Sequence, residues 1–193
     1  MNLTAELLAA KRTDYPEVQP LSAVESEHIE MLPETFERGG YGWRDAEWVV
    51  QWYYRRFLGA YPDGRRRDRE AAYDENSFEA VQAAISGAVA AEETADRMAH
   101  LTDLAGVDVP VAAAFLQFID PKRYVVVDER LWTVLQRAGA IDTAYPDPPT
   151  VAEYERYLDR FRAVADRHNE SLWDCYRALW VLGEDVSADA PGP

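Results

Sequence analysis

The sequence predicts an all-α protein, a single-domain bundle of about eight to ten helices. Three observations predict this fold class. Apolar residues recur at intervals of three and four along most of the chain, which is the spacing of one helix face. Capping patterns and Pro or Gly breaks separate these segments. The only strand-like stretch is residues 124–127, and because an isolated strand has no partner we expect extended buried chain there.

Length and composition agree with one folded domain. The chain has 193 residues, of which 48% are hydrophobic, and its 6 Trp and 11 Tyr supply a core. We expect a helical domain over residues 1–186 and a flexible tail at residues 187–193. No apolar run approaches the ~20 residues that span a bilayer, and the first residues do not resemble a secretory signal. We therefore expect a soluble, cytoplasmic protein with no membrane partner.

The net charge limits the possible partners. The chain carries 35 acidic and 20 basic residues, a formal charge of -15, and its only lysines are Lys11 and Lys122. This composition resembles that of proteins from salt-loving microbes, and the alternative is an ordinary acidic protein encoded by GC-rich DNA. A protein that binds duplex DNA normally presents a basic face, so tight non-specific binding is disfavoured. A local contact through backbone N–H groups stays open.

Few residues could bind a metal or an inorganic cluster. The single cysteine, Cys175, cannot form an internal disulfide, and it excludes a four-cysteine iron–sulfur cluster or a cysteine-based zinc site. The three histidines lie far apart in the sequence and show no ligand spacing. We expect no metal site and no organic cofactor, and the sequence leaves the oligomeric state open.

The first half of the chain reads as helices and short breaks. The first predicted helix covers residues 3–11, and a second begins at a capping box of Ser22 and Glu25 and ends before Pro33. After a glycine-rich break at residues 39–42, a helix at about 45–58 carries an aromatic stripe. A turn at residues 61–64 precedes a basic run at residues 65–69, which we place in a loop. Further helices are predicted at about 77–91 and 93–104.

The middle of the chain predicts a helical hairpin. Gly106 and its neighbours make a tight reversal between two helices, giving a helix-hairpin-helix over about residues 93–119. Pro110 lies in the first turn of the second helix, where its missing N–H costs little. Asp128, directly after Val127, begins the next helix. The last two helices begin at capping patterns that start with Thr150 and Ser171.

Residues 101–135 resemble the helix-hairpin-helix segment of the DNA glycosylase superfamily, which includes endonuclease III and AlkA-like proteins. In that family the hairpin reads roughly Leu-Pro-Gly-Val-Gly, and an alanine-containing helix and a Val-Asp motif follow. Here Leu104-Ala-Gly106-Val-Asp108 matches the hairpin, and Val127-Asp128 matches the Val-Asp motif at the right interval. The resemblance implies the glycosylase type of helical bundle.

The resemblance also implies a function in base-excision repair of double-stranded DNA. The hairpin amides would contact a DNA phosphate, often with a bound cation, and Asp128 would be the catalytic carboxylate that assists departure of a flipped base. The hairpin residues concerned are Gly106, Val107, Asp108 and Val109. The basic run offers the best further phosphate contacts, namely Arg65, Arg66 and Arg67, and its alternative interpretation is a solvated loop.

Two positions depart from the family pattern. Pro110 stands where bifunctional members carry a lysine that attacks the sugar, so we expect a monofunctional N-glycosylase. Lys122 lies in the next loop, where we expect a surface residue. Asp108 replaces the second hairpin glycine, and its charge would repel a phosphate unless a cation intervenes. These departures and the acidic charge favour an alternative, an inactive protein of the same fold that binds nucleic acid or protein. A third possibility is a protein-interaction domain whose hairpin resemblance is convergent.

Two further alternatives concern individual side chains. Asp128 could act as a helix N-cap alone, or as a cap that is also catalytic. A set of aromatic residues could line a base-stacking pocket, although aromatic residues at helical spacing more often form a core. That set comprises Trp43, Trp48, Trp52, Tyr53 and Trp132.

Overall fold

The computed structural model describes the backbone of residues 1–188 and the side chains of residues 1–184. Within this part of the chain there are ten helices and no strand, which confirms the all-α prediction. The helices are α1 (Ala5–Val18), α2 (Ser22–Glu37), α3 (Trp43–Arg55), α4 (Asp63–Asp74), α5 (Phe78–Ala90), α6 (Thr94–Thr102), α7 (Val109–Ile119), α8 (Glu129–Arg137), α9 (Val151–His168) and α10 (Leu172–Ala188).

The hairpin helix α7 lies at the centre of the core. Every residue from Pro110 to Ile119 is buried. Helices α2, α3 and α6 pack around it, and α10 packs against α1 and α8. The small side chains at residues 112–114 allow this close approach. Helices α6 and α7, which lie within the predicted hairpin range of about 93–119, pack against each other.

Residues 124–127 are extended and buried, as predicted. Side chains replace the missing strand partner. The hydroxyls of Tyr154 and Tyr157 donate to the carbonyls of Val125 and Val126, at 3.1 and 2.9 Å. The Val126 N–H donates to Gln117 Oε1 at 2.9 Å. Three buried backbone groups of this segment are thus satisfied without a sheet.

The structure corrects both predictions for the N-terminal helices. Helix α1 continues past residue 11 to Val18, because Tyr15 is buried near its end. The capping box at Ser22 and Glu25 is wrong: Leu21 is the N-cap of α2, and Glu25 is fully buried. Helix α2 also runs through Pro33, because the buried Leu32 and Phe36 anchor the helix on both sides of it.

The prediction of a loop for the basic run is also wrong. Residues 65–69 lie inside α4, which has an exposed, charged face. Arg66 pairs with Asp63 at 3.1 Å and with Glu70 at 2.9 Å, and Arg67 lies 3.5 Å from Asp63. Pairs at these helical spacings support a helix, and the buried Tyr73 anchors it to the bundle.

The C-terminal half follows the capping patterns. Thr150 and Glu153 form a complete capping box at the start of α9. The Ser171 hydroxyl accepts from the Asp174 N–H at 3.0 Å at the start of α10. Helix α10 continues to Ala188, past the predicted domain end at residue 186, and the rest of the predicted tail lies outside the described residues. None of the helices in the described part combines the length and the apolar character needed to cross a bilayer.

Candidate active site

The turn between α6 and α7 is fixed by close packing on α4. Gly106 has a φ of +77°, which lies in the left-handed region that favours glycine. A Cβ at this position would lie 2.6 Å from the Arg69 carbonyl oxygen and 2.7 Å from the Tyr73 backbone nitrogen. Only glycine fits here, so the turn that carries the family resemblance is locked against a neighbouring helix.

Two hairpin amides already have partners within the chain. The Asn76 side chain accepts from the Ala105 N–H at 3.0 Å and donates to the Ala105 carbonyl at 3.0 Å. The Val107 N–H donates to the Leu104 carbonyl at 3.2 Å. Val107 is buried and Val109 is half-buried. Asn76, just after α4, therefore braces the turn. Of the four residues that the resemblance assigns to phosphate contact, Val107 has its amide occupied within the chain.

Asp108 caps α7 and is compensated within the chain. Its Oδ1 accepts from the Val111 N–H at 3.2 Å, and its Oδ2 lies 3.5 Å from an Arg69 guanidinium nitrogen. Burial raises the pKa of Asp108, although the Val111 amide and Arg69 act in the opposite direction. Arg69 thus supplies the positive charge that a bound cation would otherwise have to provide beside this acid.

Asp128 is the N-cap of α8, as predicted. Its Oδ1 accepts from the Leu131 N–H at 2.8 Å. Its Oδ2 lies 2.7 Å from Nη2 of Arg56. The residue is only 2% exposed, so both oxygens have partners inside the protein.

Arg56 is completely buried in an aromatic cage. Its Nε donates to the Tyr53 carbonyl at 3.1 Å, and its Nη1 donates to the Tyr176 hydroxyl at 3.3 Å. Burial disfavours the guanidinium charge, but the Asp128 carboxylate together with Tyr176 and Tyr53 outweighs it and holds the pKa of Arg56 above its ordinary value. The guanidinium carbon lies 4.7–6.0 Å from the ring centres of Trp52, Tyr53, Phe57, Tyr176 and Trp180.

A cleft of about 540 Å³ brings the hairpin and the candidate catalytic acid together. It lies where the end of α3, the first turns of α7 and α8, and the loop between α8 and α9 meet. Asp108 and Pro110 border it on the hairpin side, and Asp128 borders it from α8. Four aromatic residues line it as well: Tyr53, Phe57, Tyr61 and Tyr145.

The charges around this cleft are balanced. Its lining includes four carboxylates, Asp108, Asp128, Glu129 and Asp147, and three arginines, Arg65, Arg130 and Arg137. Two of these arginines have acidic partners: Arg65 lies 3.7 Å from Asp147, and Arg130 lies 3.2 Å from Glu184. The cleft therefore has no strong basic character of the kind that attracts a phosphate backbone.

The structure brings only part of the predicted phosphate contacts to the cleft. Arg65 lines it, whereas Arg66 and Arg67 pair with acids of their own helix and are absent from its lining. Lys122 is exposed and also absent from the lining. Pro110 borders the cleft, so no amine stands at the position where the family's lysine would attack.

The aromatic set divides between core and cleft. Tyr53 lines the cleft, but Trp52 is buried and donates to Glu25 at 2.6 Å. Trp48 stacks on His28, so it serves packing. Trp43 packs beside Tyr73, and Trp132 is buried and stacks on Tyr157. The core interpretation is thus correct for most of the set.

Three residues of this region were missed from the sequence. Tyr61 and Tyr145 lie outside the helices, where helical spacing gives no signal. Burial raises the pKa of Tyr145, and the nearby acids Asp128 and Asp147 add to the effect. Arg56 had one detectable signal, since it is a charged residue at the end of the aromatic stripe predicted at about residues 45–58, adjacent to Phe57.

Within residues 1–184, no group of three or more His, Cys, Asp and Glu side chains is arranged to hold a metal ion. Cys175 is buried, and burial raises the pKa of its thiol to about 12. Comparison with known proteins adds no family assignment: no family model, curated protein or solved structure matches this chain.

Proposed function

We propose that this protein is a monofunctional N-glycosylase of the base-excision type, with the helix-hairpin-helix architecture, acting on a damaged or mismatched base in double-stranded DNA. One observation carries the proposal. Asp128 and the hairpin end of α7 border the same cleft, as the resemblance of residues 101–135 requires. A cleft of about 540 Å³ is large enough for a flipped nucleotide base.

In this proposal the aromatic lining receives the flipped base. Tyr53, Tyr61 and Tyr145 offer ring faces or edges for stacking, which is sequence-tolerant and requires no basic surface. Stacking also compensates for the base pairing and stacking that the flipped nucleotide loses in the duplex. The base identity would be read by the polar groups of the lining.

Asp128 would act on the sugar. Breaking the bond between sugar and base moves its electron pair to the departing base and leaves positive charge on the sugar. A carboxylate held against Arg56 stabilises that charge. Water then adds to the sugar to give an abasic site, and its released proton passes to the departed base, which carries the electron pair of the broken bond. The strand stays intact because Pro110 offers no amine for a Schiff base. Arg56 serves as a positioning residue, since its buried guanidinium holds the Asp128 carboxylate in place.

A second candidate is a catalytically inactive protein of the same architecture that binds nucleic acid or protein. Two contacts favour it. Arg56 occupies one oxygen of Asp128 while the Leu131 amide occupies the other, and Asn76 occupies a hairpin amide. In this case the ion pair has only a structural role, and no base is released.

The deciding experiment is a base-release assay on purified protein in high KCl. Duplexes carrying uracil, hypoxanthine, alkylated or oxidised bases are incubated with the protein and then cleaved with alkali at abasic sites. The proposal predicts cleavage of at least one duplex. No cleavage across the panel by a folded protein would refute the glycosylase proposal and leave the inactive scaffold.

The variant for this assay must not leave either member of the Arg56–Asp128 ion pair buried without its counterion. Asp128→Asn alone leaves the buried Arg56 without its counterion, which destabilises a protein by about 3–5 kcal/mol. The double variant Arg56→Met/Asp128→Asn removes both charges, and Asn keeps the helix cap. We expect it to retain its helical circular dichroism spectrum and to lose base release.

A further inference from the structure

Arg97, near the start of α6, is a buried arginine whose side chain has no hydrogen-bond or ion-pair partner among the described residues. The residue is 8% exposed. Its Nε is buried without an acceptor. Its guanidinium carbon lies 5.6 Å from the ring centre of Tyr124, a contact that does not satisfy an N–H donor. A buried charged donor without an acceptor is costly, so a partner from outside the chain would be stabilising.

Arg97 borders a second cavity, of about 550 Å³. The walls are parts of α2 and α5, the start of α6 and the end of α7. The start of α6 and the end of α7 lie at one end of this pair of helices, and the turn at Gly106 lies at the other end. This cavity and the cleft at Asp128 share no lining residue.

The cavity has a surplus of negative charge around this one free cation. Glu30, Glu37 and Asp120 line it, and none of them forms an ion pair with another described residue. Its other arginine, Arg38, is already paired with Glu34 at 2.6 Å. A simple anion would be repelled by the three acids, and a simple cation would leave Arg97 unsatisfied.

We propose that this cavity binds a cationic amino acid of the arginine or lysine class. The ligand carboxylate would accept from Arg97, because a guanidinium matches the planar geometry of a carboxylate. The ammonium group and the cationic side chain would lie among Glu30, Glu37 and Asp120. Val89 and Ile119 supply an apolar wall for the methylene groups of the ligand.

Isothermal titration calorimetry with L-arginine tests this assignment on the full chain, at the lowest salt that preserves the helical spectrum. We expect saturable binding. Agmatine, which lacks the carboxylate, should bind about ten- to a hundredfold more weakly, the effect of losing a charge-assisted hydrogen bond. The variant Arg97→Met keeps the buried stem and should weaken L-arginine binding by a similar factor.

Arg38→Met is the matched control, because Arg38 lines the same cavity but is exposed and already paired. It should change the affinity by less than about threefold. Absence of saturable binding of L-arginine would overturn the assignment. Equal affinity for agmatine and L-arginine would also overturn it, and so would unchanged affinity in a folded Arg97→Met variant. Either result would show that a contact between the ligand carboxylate and Arg97 does not contribute to binding.

Discussion

Asp108 and Asp128 begin from the same local arrangement and end in different environments. Each caps a helix that follows a non-helical segment, and both border the same cleft. Asp108 has a side chain that is 26% exposed, and it lies 3.5 Å from the half-exposed Arg69. Asp128 is buried and lies 2.7 Å from the fully buried Arg56.

The difference shows that the cap and the ion pair are set at different levels of structure. The cap is local, because the acceptor and the donor lie three residues apart. The partner cation is a tertiary feature, supplied by α4 for Asp108 and by the end of α3 for Asp128. A solvent-screened pair contributes little to stability, whereas breaking a buried pair is strongly destabilising. The two acids should therefore respond very differently to loss of their arginines.

The largest expected effect is at Arg56. Arg56→Met leaves Asp128 buried and unpaired, and we expect the free energy of unfolding in urea to fall by about 3–5 kcal/mol. The matched change Arg69→Met removes a pair that solvent already screens, so the free energy of unfolding should fall by less than about 1 kcal/mol. Equal losses in the two variants would contradict the distinction between the two pairs.

An intermediate effect is expected at the hairpin turn that precedes Asp108. Gly106→Ala combines a left-handed residue with a Cβ that meets the α4 backbone, and should lower the free energy of unfolding by about 2–4 kcal/mol. Gly139→Ala is the control, because Gly139 has a similar φ of +73° and open space around its Cβ. That variant should cost about 1 kcal/mol. A Gly106→Ala variant no less stable than Gly139→Ala would show that α4 does not hold the turn.

The smallest effect is a pH dependence at Asp108. Burial raises its pKa in the folded protein, so the folded state keeps this proton to higher pH than the unfolded chain does. Its contribution therefore favours folding at low pH and is lost as the pH rises from the ordinary value of 3.8 through the raised pKa. Asp108→Asn should remove this trend, so its stability relative to the unmodified chain should increase over that window. A difference in unfolding free energy that stays constant with pH would contradict the raised pKa.

Much of the fold could be predicted because its signals are local. The glycine at the hairpin, the caps at Asp128 and Thr150, and the apolar periodicity each act within a few residues. The predictions for individual segments were wrong where tertiary packing outweighs local sequence preferences. Glu25 has the spacing of a capping residue, yet it is buried and accepts hydrogen bonds from Tyr15 and Trp52. The basic run resembles a loop because Tyr73 is the one buried side chain that α4 contributes to the core.

The candidate site was only partly predictable for the same reason. The interval between the hairpin and Asp128 indicated that they would be neighbours, and they share a cleft. Nothing near Asp128 in the sequence identifies Arg56, which lies 72 residues away and is brought there by the packing of α3. Likewise, the sequence does not show that the helices around Arg97 place no hydrogen-bond acceptor beside its Nε, because that is a result of tertiary packing.

The most direct test of the account is the single-turnover rate of base release on whichever duplex of the panel is cleaved. It compares the unmodified protein, Asp108→Asn and the double variant Arg56→Met/Asp128→Asn, all checked for folding. We predict that Asp108→Asn stays within about threefold of the unmodified rate, and that the double variant is at least about a hundredfold slower. A double variant that releases the base at the unmodified rate would contradict a catalytic role for Asp128.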